Sequence, residues 1–348
     1  MTNSAAPALW ISEADVVSMM DVGEAIGALE QGLIEEAAGS ALNMQKTHVE
    51  WDHSTLHAIG AVFPAIGFCG TKTWAHTHGG ATPLLLLFDS RDGSLKAIIE
   101  AFALGQMRTA AASGVATRWL AAPAADCFAM IGTGKQALTQ VAAVLAVRAI
   151  DRICVFSPNE QHRNDFVAKL QSQFSAEVLS CSSVAEALRD ATIITVATRA
   201  TEPFVTGDMV RAGAHINSVG AIVPSRAEIA QDVIARSTRI VADSVPQARR
   251  LSRELIESFA ADDVSWSKVE PLAKIVSQRS IRTSADDITL FKALGVGISD
   301  LSLGIELYRK ALAAGLGREV DAPKRISPRL GIGFTPDNQQ QNHVNSRG

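Results

Sequence analysis

Among residues able to do chemistry, the most informative group in this 348-residue chain is a glycine turn. Gly132-Thr133-Gly134-Lys135-Gln136-Ala137 reads G-x-G-x-x-A between an apolar run, CFAMI, and a helical apolar run, LTQVAAVLAVRA. The first glycine permits a tight turn and the second lets the backbone approach a pyrophosphate. Ala137 permits close helix–sheet packing, and the phosphates sit on N–H groups left unpaired at the helix start. The chemistry this implies is dinucleotide binding. The following run, RICVF, ends at Ser157-Pro158-Asn159 without the acidic residue that would hold a ribose 2′-OH, and Asp151 precedes the run and falls at its wrong end. Ser157 with His162 or Arg163 would accept a 2′-phosphate, which favours NADP; alternatively His162 and Arg163 form only a solvated helix face. His76 and His78, two apart on one strand face, suggest a metal, but no third ligand stands at suitable spacing. Their remaining role is to line a pocket beside Trp74. Cys69, Cys127, Cys154 and Cys181 lie far apart with no C-x-x-C spacing, so reduced, mostly buried thiols are expected, not zinc or disulfides.

The hydrophobic pattern supplies the elements that must position these groups. From Ile11 to Ala38, residues including Val16, Ile26, Leu29 and Leu33 recur at helical spacing, and Ser12 or Asp21 would cap the starts, so two helices are expected. Between Leu56 and Glu100 the runs LHAIGAVF, PLLLLFD and LKAIIEA predict a mostly antiparallel sheet, with DSRDGS as a hairpin turn. The stretch 103–120, ALGQMRTAAASGVATRWL, returns to helix with an Ala- and Gly-rich side suited to close approach. After an Ala-Pro connector at 121–126, the runs CFAMI, RICVF, ATIITVAT, AHINSVGA and RIVAD alternate with helical segments such as QHRNDFVAKLQSQF. That alternation predicts a doubly wound parallel sheet domain of roughly 170 residues. After Ile288, TLFKALGVGISDLSLGIELYRKALAAG reads as helix broken at Gly295 and Gly297, and the polar end, 335–348, as a disordered tail.

Composition narrows the function classes. The length suits two domains. Lys plus Arg total 32 against 36 Asp plus Glu, a net charge of -4, so no basic excess exists to neutralise a nucleic-acid backbone. With 47% hydrophobic and 20% charged residues, a compact, oligomeric globular protein is expected. The opening residues lack a signal-peptide pattern and no apolar stretch reaches about 18 residues, which gives no membrane and a cytoplasmic location as expectations.

The stretches GTKTW (70–74), LLLLFDSRDGSLKAIIEA (84–101), LGQMRTAAASGVATRWLA (104–121), IGTGKQALTQ (131–140), HINSVGA (215–221) and DDITLFKALGVGISDL (286–301) occur in an order that resembles the ornithine cyclodeaminase/mu-crystallin family. The resemblance covers nearly the whole chain. It implies an α/β protein in which a Rossmann-type doubly wound parallel sheet, 121–299, is inserted in a second α+β substrate and dimerisation domain, 1–120 plus 300–334. It further implies an NAD(P)-dependent homodimer acting on a small imino or amino acid. Lys72 resembles the lysine that mediates proton transfer at the substrate nitrogen, and Arg108 the arginine that contacts the substrate carboxylate and the cofactor. Lys135, Gln136, Ser157, Thr198, Val219, Gly220 and Ala221 match positions lining the cofactor beside Gly132, Gly134 and Ala137, with Arg163 near the ribose; Leu294 matches a substrate position. The chemistry agrees, because hydride exchange at an imine needs its neighbouring carboxylate anchored by a cation, and a lysine with a burial-shifted pKa can trade a proton.

Two departures from the family pattern bear on function. Where the family often has a substrate-binding arginine, NMQKTH offers only Lys46 or His48, and lysine lacks the bidentate fork. Two residues after Gly220, where cyclodeaminases carry an aspartate for the distal amine, this chain has Ile222. The resemblance therefore implies NAD(P)H-dependent reduction of a small 2-imino acid or ketimine, with amino-acid oxidation as the reverse. The alternatives are ornithine cyclodeaminase and a mu-crystallin-like nucleotide-binding protein without turnover; the presence of both Lys72 and Arg108 favours an enzyme.

Overall fold

The structure, a computed structural model, describes residues 7–259, 263–324 and 326–330. The expected disordered tail, 335–348, lies outside the described residues. Both N-terminal helices form, Glu13–Met19 and Val22–Ala37. Each start is closed by a reciprocal pair: Ser12 with Asp15, and Asp21 with Glu24, exchange side-chain and backbone hydrogen bonds. Glu13 does a second job, because its carboxylate accepts the backbone N–H groups of Phe102 at 2.5 Å and Ala103 at 3.0 Å. It thereby caps the helix Phe102–Leu120, whose own preceding residue, Ala101, offers no capping side chain.

The first sheet, nine strands among the described residues, runs Arg318–Val320, Ala8–Ile11, Leu95–Glu100, Leu84–Asp89, Phe68–Thr77, Ser54–Phe63 and Leu42–Asn43, with two strands off this path. One of those two, Thr47–Trp51, pairs with Ser54–Phe63. All its pairings are antiparallel except Ala8–Ile11 against Leu95–Glu100. Register places Ile59, Lys72 and Leu85 in one row, so the face carrying Lys72 is the one buried against helices.

The second sheet is wholly parallel: Glu177–Ser180, Arg152–Phe156, Cys127–Ile131, Ile193–Val196, His215–Ser218, Ile288–Lys292, Ser237–Ala242 and Val269–Pro271. The chain winds outward in one direction from Cys127–Ile131 and returns to its other side at Ile193–Val196, a switch of the kind that opens a crevice at the strand ends. Ile288–Lys292, read above as the start of a helix, is a central strand here. It is buried along its whole length between two neighbours, and a short continuous apolar run carries no period by which to tell strand from helix. The helix that follows starts at Gly297 and runs to Ala314. The helix after the glycine turn is also shorter than expected, Ala137–Leu145. Arg148 ends this region by donating to the carbonyls of Arg118, Ala121 and Ala122.

Helix Phe102–Leu120 lies between the two sheets. Residues 110–117 are buried without a break, and a Cβ at Gly114 would stand 2.5 Å from Ile26, so the small residues there allow the close packing on Val22–Ala37 that the pattern implied. Thr117 accepts from Asn217, and Leu120 accepts from Thr289, which ties the same helix to the parallel sheet. The four cysteines are free thiols, three of them buried. Among the described residues no helix is long and apolar enough to cross a membrane.

Candidate active site

The glycine turn leaves strand Cys127–Ile131 and enters helix Ala137–Leu145. Gly132 has φ 103°, a left-handed conformation that disfavours any side chain, and a Cβ there would meet the Ala197 carbonyl at 2.6 Å. Gly134 is different: a Cβ would meet nothing within 4 Å, so its backbone is open to the cleft. Gln136 Oε1 is buried there without a protein partner among the described residues. The two glycines, one in the left-handed turn and one with open backbone, fit a pyrophosphate laid along the turn.

The turn borders a cleft of about 990 Å³ at the carboxyl ends of the parallel strands. Gly132, Gly134, Lys135, Gln136, Ser157, Thr198, Val219 and Gly220 line it from the parallel sheet. Lys46, Ile59, Trp74 and Arg108 line it from the first sheet and its helix, with Leu294 and Ile222 between. Ala137 and Ala221 are buried behind this wall. Arg163 does not face the cleft; its guanidinium donates to the Ser157 carbonyl at 2.7 Å and to Ser180 Oγ at 3.0 Å. His162 does line the cleft. His76 and His78 do not line it: His76 is exposed near the end of strand Phe68–Thr77, and His78 lies past that end. Among the described residues no group of three or more ligand side chains is placed to hold a metal. Of the two cations considered for the missing arginine, Lys46 is in the cleft wall. His48 instead stacks on His57, at 5.5 Å between ring centroids, and His57 stacks in turn on Trp74 at 4.7 Å. Burial, with Lys46 and the other histidines nearby, pushes His57 down to about 4, so it is neutral at pH 7.

Lys72 sits one layer behind the cleft wall. Its Nζ donates to Asp300 Oδ1 at 2.5 Å and lies 5.1 Å from the centroid of the Trp74 ring. The same oxygen is 3.3 Å from Arg108 Nε, a close charge contact without the alignment of a hydrogen bond. Asp300 is fully buried, and its second oxygen has no protein partner among the described residues. Burial pulls the Lys72 ammonium down to about 8; the Asp300 charge opposes that, while Arg108 and Lys46 add to it. Lys46 is likewise lowered, by burial first and by Arg108 second.

Two carboxylates absent from the sequence reading thus organise the site. Asp300 is one. Asp243, at the end of Ser237–Ala242, is the other: it accepts the N–H groups of Leu294 and Gly295, at 2.9 and 2.7 Å. That bond set holds the left-handed turn at Gly295, where a Cβ would stand 2.7 Å from an Arg108 nitrogen. The sequence signal for Asp243 is an acidic residue in an apolar stretch, RIVAD; Asp300 stands in GISDL at the end of the stretch 286–301, with nothing there to name its partners.

The family model for the ornithine cyclodeaminase/mu-crystallin family matches residues 9–315. The chain is 30% identical over 240 residues to a Delta(1)-pyrroline-2-carboxylate reductase of Bacillus cereus, covering 68% of this chain and 74% of that one. It is 26% identical over 328 residues to the alanine dehydrogenase of Archaeoglobus fulgidus, covering 90% and 98%. Its fold superposes with a TM-score of 0.83 on the Thermococcus litoralis Delta(1)-pyrroline-2-carboxylate reductase in complex with NADH and L-proline, at 29% identity over 90% of this chain and 100% of that one. Motif order, glycine turn and global match agree, and the chain belongs to the ornithine cyclodeaminase/mu-crystallin family.

Proposed function

We propose that this protein is an NAD(P)H-dependent reductase of a small 2-imino acid or ketimine, running in reverse as an amino-acid dehydrogenase. The observation that carries the reading is the sharing of one buried oxygen, Asp300 Oδ1, by Lys72 and Arg108 at the edge of a cleft floored by a dinucleotide turn. Gly132, Gly134 and the start of helix Ala137–Leu145 would hold the pyrophosphate. A bound nicotinamide cofactor supplies the hydride. The chain does the rest. Arg108 and Lys46 take the substrate carboxylate, which fixes the adjacent carbon–nitrogen bond in the cleft. Lys72 Nζ carries the proton that the imine nitrogen acquires, and Asp300 holds that ammonium charged and oriented. In the oxidative direction neutral Lys72 removes a proton from the amine. Trp74, Ile59 and Leu294 supply an apolar wall that excludes water.

Ile222 in the cleft wall argues against cyclodeaminase chemistry, since an alkyl side chain cannot bind a distal ammonium. Ser157 and His162 line the cleft where Glu160 does not, which supports NADPH as the preferred donor; Arg163, engaged with Ser157 and Ser180, supports it only through the loop it braces. We further propose the domain division 1–120 plus 300–334 around 121–299, action in the cytoplasm, where the four thiols stay free, and a homodimer formed through the outward face of the first sheet. The test is oxidation of NADPH and of NADH with pyrroline-2-carboxylate, piperideine-2-carboxylate, iminosuccinate, and pyruvate with ammonia or methylamine. Turnover with at least one is the expected result, with NADPH giving the higher kcat/KM. No turnover with any, together with ammonia release from ornithine, overturns the reading.

A further inference from the structure

Glu228 is wholly buried and does not line the cleft, yet its two oxygens collect four hydrogen bonds from the loops that do. Oε1 accepts the backbone N–H of Thr198 at 2.6 Å and its hydroxyl at 2.8 Å. Oε2 accepts the N–H groups of Gly220 at 2.9 Å and Ala221 at 3.1 Å. These donors follow the adjacent parallel strands Ile193–Val196 and His215–Ser218, so one carboxylate fastens two neighbouring strand ends together. Three of the four donors are backbone N–H groups, which only donate and so suit an ionised carboxylate; burial raises the Glu228 pKa, and Lys292 and the bonds from Thr198 oppose that. Gly220 is glycine for the same reason: a Cβ there would overlap Glu228 Oε1 and the Thr198 backbone.

A second buried layer holds the clamp in place. Glu254 Oε1 accepts the backbone N–H of Glu228 at 2.9 Å, and its other oxygen pairs with Lys292 Nζ at 2.7 Å. Lys292 also donates to Ser218 Oγ at 3.0 Å. It is 1% exposed and comes from the strand Ile288–Lys292. A carboxylate, a lysine and a second carboxylate are thus spent on holding two short loops of the cleft wall.

We propose that Glu228 is the positioning residue for the nicotinamide end of the cofactor: it sets the two loops against which the ring rests, without touching the ring. The proposal rests on the nicotinamide reading above. Its test compares ligands that do and do not carry the ring. In Glu228→Gln the charge is lost and the amide keeps one acceptor oxygen, its NH2 facing at least one of the three backbone N–H groups, so affinity for NADPH or NADH is expected to fall about tenfold or more, the scale of hydrogen bonds to a charged group. Affinity for the matching ADP-ribose or 2′-phospho-ADP-ribose, which engages only the glycine turn and the ribose end, is expected to stay within about twofold of wild type. Gly220→Ala opens the same clamp with a methyl group and no change of charge, and is expected to show the same selective loss. Retained ADP-ribose binding certifies that a variant is folded. If both variants bind the intact cofactor as wild type does, or lose both ligands in parallel, Glu228 is not the positioning residue. If wild type itself binds neither NADPH nor NADH, the nicotinamide reading has failed instead.

Discussion

Asp300 gives Lys72 and Arg108 a common anion, and the pH behaviour of the site follows from it. With Lys72 drawn down to about 8, imine reduction needs the ammonium and is expected to lose rate as pH rises through about 8, while amine oxidation needs the free amine and is expected to gain over the same range. Lys72→Met is expected to remove both limbs and to cost about 100- to 10,000-fold in kcat, with cofactor binding, read by fluorescence titration, retained. Asp300→Asn removes the charge that raises the Lys72 pKa, so the alkaline limb of reduction is expected to move to lower pH; a limb that moves up or stays in place would show that Asp300 does not govern Lys72. Lys72 and Arg108 were legible in the sequence because each stands in a recognisable stretch, GTKTW and QMRTAAAS. Asp243 was not, and Asp300 stands in the stretch DDITLFKALGVGISDL with no partner in view, because their partners lie 228 and about 50 residues away and no local pattern tells which cation or amide a buried carboxylate serves.

At the scale of elements, the site depends on how closely helix Gly297–Ala314 approaches strand Ser54–Phe63. A Cβ at Gly297 would run into the Gly60 carbonyl, and Asn43 caps the same helix end by accepting the N–H of Ile298 at 2.9 Å. Asp300 is one turn further on. Gly297→Ala is therefore expected to push the helix off the sheet, to lower stability by about 1–3 kcal/mol in denaturant unfolding, and to reduce kcat more than the stability loss accounts for. An unchanged kcat would mean that the helix shifts without carrying Asp300 with it. The two N-terminal helices were readable because each has an apolar period and a capping residue, and the hairpin at DSRDGS because of its turn residues. Ile288–Lys292 was not, since a strand buried on both faces presents a continuous apolar run that also suits a helix.

Over the whole molecule, the first sheet has one face closed by helices and one face open. Val49 and Leu56 pair across strands and are 65% and 48% exposed, on the face opposite Lys72 and Ile59. An apolar sheet face left uncovered in this way suits a second copy of the chain. Replacing both residues with lysine is expected to yield monomer by sedimentation, and wild type dimer; a monomeric wild type would sink the homodimer proposal. The same sheet also takes strands from both sides of the parallel domain in the sequence, with Ala8–Ile11 seated between Leu95–Glu100 and Arg318–Val320. As the polypeptide leaves the ribosome, every strand of the parallel sheet is available once residue 292 has emerged, whereas the antiparallel sheet waits for Arg318–Val320 and for the helix that covers it. Synthesis order is thus inverted in folding order: the middle of the chain can close first, and the sheet that holds Lys72 is completed later, by helix Gly297–Ala314 and strand Arg318–Val320.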